Sequence, residues 1–418
     1  MNILNSIPRL GIYSIIIFTP LAMASVQGWA ITVIHLITLI GVTAFLLEKS
    51  LSGDWTWAKT PLNKPFLPLM GLGLISSIYS VHRPISFRAI ILLINYLSIF
   101  YLIIYSFNSR THLRQLVYLI VGLGSFLAAF GIIKWMGINP FPWWNYQNVE
   151  YETYRVSSTF FNSDNFAAYI EMTLPVVLGI FLTGLREKKL VMLAGLTFVM
   201  FFALILSYSR GGWIASFFGM CFMGGVLLIK RHFSLKKLIP PLLGGILVIL
   251  IVILSSTSVT KRLGTLAQKG NLPNFRGRVI VWSGIINMIQ DHPLFGTGPG
   301  TFATIFTQYQ PPGIAARYFK AHNDYLQFIS EIGITLIPIM IWMMVAFYRK
   351  GFKKLKNPSR LVKGTSIGAM SGITAILIHS IADFPLHIPA NAILFTILAA
   401  IVVGPLPKSD HKKVIDHT

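Results

Sequence analysis

The sequence predicts an all-α integral membrane protein of about twelve transmembrane helices, with a large outer loop between the ninth and the tenth. Three observations predict it. Hydrophobic residues make up 54% of the 418 and charged residues only 11%; with a mean hydropathy of +0.67, this balance is outside the range of soluble multi-domain chains. Apolar runs of about 20 residues, enough to cross the hydrocarbon core of a bilayer, recur along the whole chain. The densest clusters of Lys and Arg fall between alternate runs, as in loops retained in the cytoplasm.

Taken in order, the expected spans have cores near 10–24, 30–47, 65–80, 88–106, 115–135, 166–184, 190–208, 213–229, 238–256, 326–348, 365–381 and 389–404. The basic segments Arg186 to Lys189, Lys230 to Lys237, Arg349 to Lys363 and Lys408 to Lys413 all lie on one side if both termini are cytoplasmic. Leu10 to Ala24 is followed by further spans, so it reads as a retained helix and not a cleaved signal. The single cysteine, Cys221, permits neither an internal disulfide nor a cysteine metal cluster and is expected to pack between helices. The formal charge of +22, from 35 Lys and Arg against 13 Asp and Glu, fits topogenic charge and anionic lipid better than nucleic acid on so apolar a chain. No repeat or low-complexity tract divides residues 1–418, which read as one polytopic domain.

Two long connections face the opposite side, 136–165 and 257–325, and function is expected there. The first is aromatic (Phe141, Trp143, Trp144, Tyr146, Tyr151, Tyr154), as suits the headgroup level. The second holds Lys261, Arg262, Lys269, Arg276, Arg278, Arg317 and Lys320, with Asp291 the sole acid before His322, and reads as an anion site. Within it, Val279, Trp282, Ile286 and Ile289 recur at helical spacing, so Arg278 to Gln290 predicts an amphipathic helix ended by Asp291-His292-Pro293. The glycines of FGTGPGTF follow no strand and precede no Lys-Ser/Thr pair, so they predict a tight turn, not a phosphate loop.

Arg210 stands in SYSRGGW at the junction of two spans. A guanidinium at the bilayer centre costs about 2.5 to 3.5 kcal/mol or more, so Arg210 is expected at a helix end or in a polar cavity. Its planar fork suits phosphate oxygens, and Gly211-Gly212 permit close backbone approach. His322, where the outer loop meets the tenth span, carries an imidazole able to accept a hydroxyl proton near neutral pH. Asn323 or Asp324 is suited to cap that span. His379, Asp383 and His387 cluster after the eleventh span; two histidines and a carboxylate can bind zinc in principle, but polar lining of an outer cavity is the expectation. Glu171 and Glu331 lie near outer helix ends and His35 alone near mid-span, unlike the midplane polar sites of transporters.

Taken together, SYSRGGW, GRVIVWSGIINMIQDHPLFGTGPGTF, KAHNDYLQFISEIGI and HSIADFPLHIPANA occur in an order that resembles the O-antigen ligase superfamily, which also includes O-antigen polymerases and protein O-oligosaccharyltransferases. The resemblance covers about 155–405 and extends to STFFNSDNFAAY before the sixth span. It implies an all-helical glycosyltransferase of the GT-C-like membrane type, inverting, without metal or cofactor. Its active site would face the periplasm from the bacterial inner membrane. The implied donor is a glycan on undecaprenyl pyrophosphate and the implied acceptor a sugar hydroxyl of the lipid A core. Arg210 matches the family's first arginine, Arg278 its outer-loop arginine and His322 its histidine, and these are the candidate catalytic residues. Around them the candidate substrate-binding residues are the cations Arg276, Arg317 and Lys320, with Asn323, Asp324, Asp383 and Trp282. Polymerase activity is the alternative, ahead of protein glycosylation and small-anion transport.

Overall fold

The computed structural model describes residues 2–141, 144, 155–182, 187–229, 273–312 and 317–408, without the side chains of 2, 187–190 and 273–276. Among them lie fourteen α-helices: α1 (Asn2–Leu21), α2 (Gly28–Ser52), α3 (Asn63–Ile78), α4 (Arg83–Ser106), α5 (Arg110–Trp135), α6 (Ser163–Leu182), α7 (Glu187–Leu206), α8 (Arg210–Ile229), α9 (Pro273–Asp291), α10 (Phe302–Tyr309), α11 (Asp324–Ile332), α12 (Leu336–Lys354), α13 (Arg360–His379) and α14 (Pro389–Val403). The described residues form no strand, only an isolated bridge between Ser109 and Lys408. Seven helices are long and apolar enough to cross a membrane: Ile3–Leu21 in α1, then α2, α4, α5, α6, α8 and α13; Val191–Leu206 and α14 are shorter apolar helices. The chain is an all-helical integral membrane protein.

Helix directions alternate between two ends of the bundle. At one end the Val81 N–H donates to Thr297 O, the Val156 N–H to Leu206 O and Trp144 Nε1 to Leu21 O. At the other the Lys408 N–H donates to Asn108 O and Lys354 Nζ to Ile401 O. The first end, the one expected to be outer from the charge pattern of the sequence, gathers the C-termini of α1, α3, α7 and α13 and the N-termini of α6, α8, α11 and α14. Pro389–Val403, apolar on every side, is buried almost throughout and forms the centre of the bundle.

Because lipid is as apolar as leucine, membrane helices associate through close packing, and small residues permit it. Gly364, Gly368 and Gly372 repeat every four residues on α13 and meet α6 backbone to backbone. A Cβ on Gly368 would stand 2.5 Å from Pro175 O, one on Gly372 2.5 Å from Met172 O, and one on Gly179 2.2 Å from Gly364 O. Neither backbone can give way cheaply. Gly368→Ala is therefore expected to cost about 1 to 3 kcal/mol, read as a lower thermal midpoint in detergent. Gly224→Ala on α8, where an added Cβ meets nothing within 4 Å, is expected to be neutral or stabilising by up to about 1 kcal/mol.

Several expectations need correction. The tenth span, expected as one helix over 326–348, is broken: α11 ends at Ile332, its cap Gly333 takes φ +100°, and α12 starts only at Leu336. Gly333 lies against Leu294, where an added Cβ would be 2.1 Å from the carbonyl oxygen. The α11 segment reads as spanning on average hydropathy, yet it buries a polar face of Asp324, Gln327, Ser330 and Glu331. On α9 the helix is present, but its buried stripe is Val281, Ile285 and Met288, with Trp282 and Ile289 partly covered, while Val279 and Ile286 face outward. Cys221 lies exposed on α8 instead of between helices. The expected ninth span, Arg186, the Lys230 to Lys237 segment, Lys261, Arg262, Lys269, Trp143, Tyr146, Tyr151, Tyr154 and the tail beyond Lys408 lie outside the described residues.

Candidate functional site

The glycine-rich turn at 296–300 seats α11. Gly296, Gly298 and Gly300 all take positive φ, and the backbone nest they open is filled by the chain's own carboxylate. Glu331 accepts from the Gly300 N–H at 2.8 Å, the Phe302 N–H at 3.2 Å and Gln327 Nε2 at 3.1 Å. The turn is thus a brace for α11 and closed to a phosphate. At the other end of α11, Asn323 caps the helix, its Oδ1 accepting from the Leu326 N–H at 3.0 Å.

A second corner presents Arg210. Ser207-Tyr208-Ser209 joins α7 to α8, with Tyr208 at φ +52° and buried. Ser209 Oγ caps α8 by accepting from the Gly212 N–H at 3.1 Å. Arg155 braces the corner from outside: its Nε donates to Ser207 O at 2.9 Å and its Nη2 pairs with Asp164 at 2.8 Å. The two glycines after Arg210 let α8 sit tightly, Gly211 on the ring of His379 and Gly212 on Ala167. Arg210, half-buried, is the first residue of α8 and so stands at the outer end, as Arg278 and His322 do.

The two remaining motifs cross. His322, from the segment before α11, places Nδ1 3.1 Å from Asp383 Oδ1 in the turn after α13. Asp324, two residues on, pairs with His387 in that same turn, Nδ1 to Oδ1 at 2.5 Å. Asp324 further accepts from Ser380 Oγ at 2.8 Å and the Leu386 N–H at 3.0 Å, and its own N–H reaches Ser380 O at 2.9 Å. It is wholly buried and stitches the 379–387 turn to α11. His322 takes φ +48°, stands edge-on to Phe384 and keeps 31% of its side chain exposed. Arg278 reaches over from α9, donating from Nη1 to Ala382 O at 2.6 Å with Nη2 3.7 Å from Asp383.

Burial pushes the Asp383 carboxyl up, but the His322 hydrogen bond and the charges of His322, Arg278 and His379 outweigh it and hold it at about 2, against an ordinary 3.8. A carboxylate depressed on folding contributes stability that is fully present above its unfolded pKa and lost as pH falls through the folded one. The expected outcome is a fall in thermal midpoint between about pH 4 and about pH 2 that is smaller in Asp383→Asn than in wild type.

Among the other candidates, Trp282 donates from Nε1 to Ala321 O at 3.0 Å and so holds the residue before His322. Lys320 is half-buried and its ammonium is pushed down by burial, against the opposing pull of Glu331 and Asp324. Arg317 is exposed, 5.3 Å from the Phe319 ring centroid, with Nη2 bonded to Ala303 O at 3.3 Å. The Arg276 side chain lies outside the described residues. His379, Asp383 and His387 do not converge as ligands; each histidine of the cluster faces its own carboxylate, His379 that of Glu171, and the described residues hold no group of three or more His, Cys, Asp and Glu able to bind a metal. Sequence reasoning missed Arg155 and Asp164, and gave Glu171 and His379 no partner. Reciprocal motifs, each with one histidine and one acid (HND and DFPLH), were the available signal for the crossing.

Residues 195–341 match a family model described as O-antigen ligase. The match runs from within α7 into α12 and contains Arg210, Arg278 and His322. No curated protein matches the chain.

Proposed function

We propose, from the match of residues 195–341 to the O-antigen ligase family model, that the chain is a member of the O-antigen ligase superfamily and transfers a glycan from undecaprenyl pyrophosphate to a sugar hydroxyl of the lipid A core. The reaction is placed at the periplasmic face of the bacterial inner membrane, with both termini cytoplasmic. Members of the family are glycosyltransferase-like enzymes of the ligase or polymerase type, and the transfer of a whole glycan to core is the finer reading proposed here. The observation that supports it is the meeting, at one end of the bundle, of a partly exposed imidazole and Arg278 on one buried carboxylate, with Arg210 starting a helix at that same end.

Nδ1 of His322 is engaged by Asp383, so the ring is held and Nε2 is the nitrogen left to accept a proton. In the proposed mechanism neutral His322 orients and deprotonates the acceptor hydroxyl, which attacks the anomeric carbon from the face opposite the pyrophosphate. Arg210 and Arg278 bind the pyrophosphate and stabilise the charge that grows on it as the glycosidic bond breaks. Asp383 stabilises the imidazolium that forms, and Arg278 holds the turn that carries Asp383. Lys320 and Arg317 extend the cationic surface along which an anionic donor approaches. The scheme is inverting and uses side-chain cations where other transferases use a divalent ion.

The test is acceptor dependence. Purified protein given undecaprenyl-pyrophosphate glycan should move it once, whole, onto lipid A core when core is present. A ladder of lengthening glycan on the lipid carrier in the absence of core would make the protein a polymerase instead.

A further inference from the structure

Beneath Arg210 lies a third histidine–carboxylate pair, one that the proposed mechanism does not use. Glu171 projects from α6 and His379 is the last residue of α13, 208 positions away. Nδ1 of His379 is 3.1 and 3.0 Å from the two Glu171 oxygens, and the side chains are 1% and 0% exposed. Helix contact alone does not explain such a pair, since apolar side chains of similar volume hold two helices together as well or better than a desolvated ionisable pair. What the pair provides is a fixed ring plane. An ionised Glu171 can only accept, so Nδ1 carries the proton and the opposite edge of the ring is aimed at α8. There a Cβ on Gly211 would stand 2.8 Å from both Cδ2 and Nε2, so the backbone next to Arg210 rests on the imidazole edge.

We propose that Glu171 and His379 are a positioning pair for Arg210, setting the height and direction from which its guanidinium meets the donor pyrophosphate. The role deepens the glycosyl-transfer reading and rests on it. Neither residue touches substrate; both act through Gly211. Arg155 and Asp164 brace the preceding residues, and the pair supports the following ones, so the first turn of α8 is fixed on both sides of the arginine.

The variants are Glu171→Gln, which keeps an acceptor and removes the charge, His379→Ala, which removes the ring, and Gly211→Ala, which leaves the pair chemically intact and pushes on it. In steady-state transfer with undecaprenyl-pyrophosphate glycan and lipid A core, each is expected to raise the donor KM about five- to twentyfold and leave the acceptor KM within about twofold. Undecaprenyl pyrophosphate without glycan should inhibit the variants correspondingly less. The Gly211→Ala penalty should vanish in a His379→Ala background, because the methyl then occupies space the ring has left. Donor KM unchanged in the folded variants, or donor and acceptor KM raised alike, would overturn the positioning role. So would additive penalties in the double variant, a comparison available even where Glu171→Gln does not fold. A wild-type protein that neither transfers glycan nor binds undecaprenyl pyrophosphate would overturn the functional reading beneath it, which is a separate result.

Discussion

Replacing His322 by alanine is expected to lower glycan transfer about 100- to 10,000-fold, the usual contribution of a positioned general base, while leaving the protein folded. The backbone makes the choice of variant matter. His322 sits at φ +48°, a conformation that asparagine tolerates better than alanine, so His322→Asn separates loss of the base from added strain. Both variants should lose turnover, and His322→Asn should keep a thermal midpoint near wild type. Asp383→Asn should lose less, on the order of 10- to 100-fold, since the amide still reaches the ring but no longer offsets its charge. A His322→Asn protein with wild-type turnover would remove the base from the scheme.

The second large effect is expected at a wholly buried residue. Asp324→Ala leaves His387, Ser380 Oγ and the Leu386 N–H without their shared acceptor at a fully buried position. Breaking a buried hydrogen-bonded pair from one side costs about 3 to 5 kcal/mol. Here the loss falls on the joint between α11 and the 379–387 turn. Since the same joint sets Asp383 against His322, transfer should fail together with the thermal midpoint. Asp324→Asn, which retains one acceptor oxygen, should recover part of both. Activity lost from Asp324→Ala at an unchanged midpoint would instead restore the substrate-binding role that the sequence suggested.

Seven of the expected spans, those of α1, α2, α4, α5, α6, α8 and α13, were legible because each is a long apolar run, a pattern fixed by the hydrocarbon core whatever the helices later touch. The break at Gly333 was not. Its polar neighbours Gln327, Ser330 and Glu331 are diluted by apolar residues in any window long enough to find a span, and their destination is the turn at Gly300, which sequence spacing cannot supply. The same limit applies at the site. His322, Arg210 and Arg278 were legible as residue types in the right order, and Asn323 as a cap. The pairing of His322 with Asp383 and of His387 with Asp324 bridges 61 and 63 residues, and it depends on two turns crossing, a property of the packed bundle. Trp282 was legible as part of the α9 helix and as a substrate-binding candidate, but the bond from its indole nitrogen to Ala321 O was not. The α9 stripe was misassigned because Val279 and Val281 are equally apolar, and only the position of α10 decides which is covered.

The most direct test of the account is turnover by purified protein in detergent, supplied with undecaprenyl-pyrophosphate glycan and lipid A core, for wild type, His322→Asn and Arg210→Ala side by side. Glycan is expected on the core with wild type alone, both variants being folded, with undecaprenyl pyrophosphate still bound by His322→Asn and no longer by Arg210→Ala. Transfer at comparable rates by all three would contradict it.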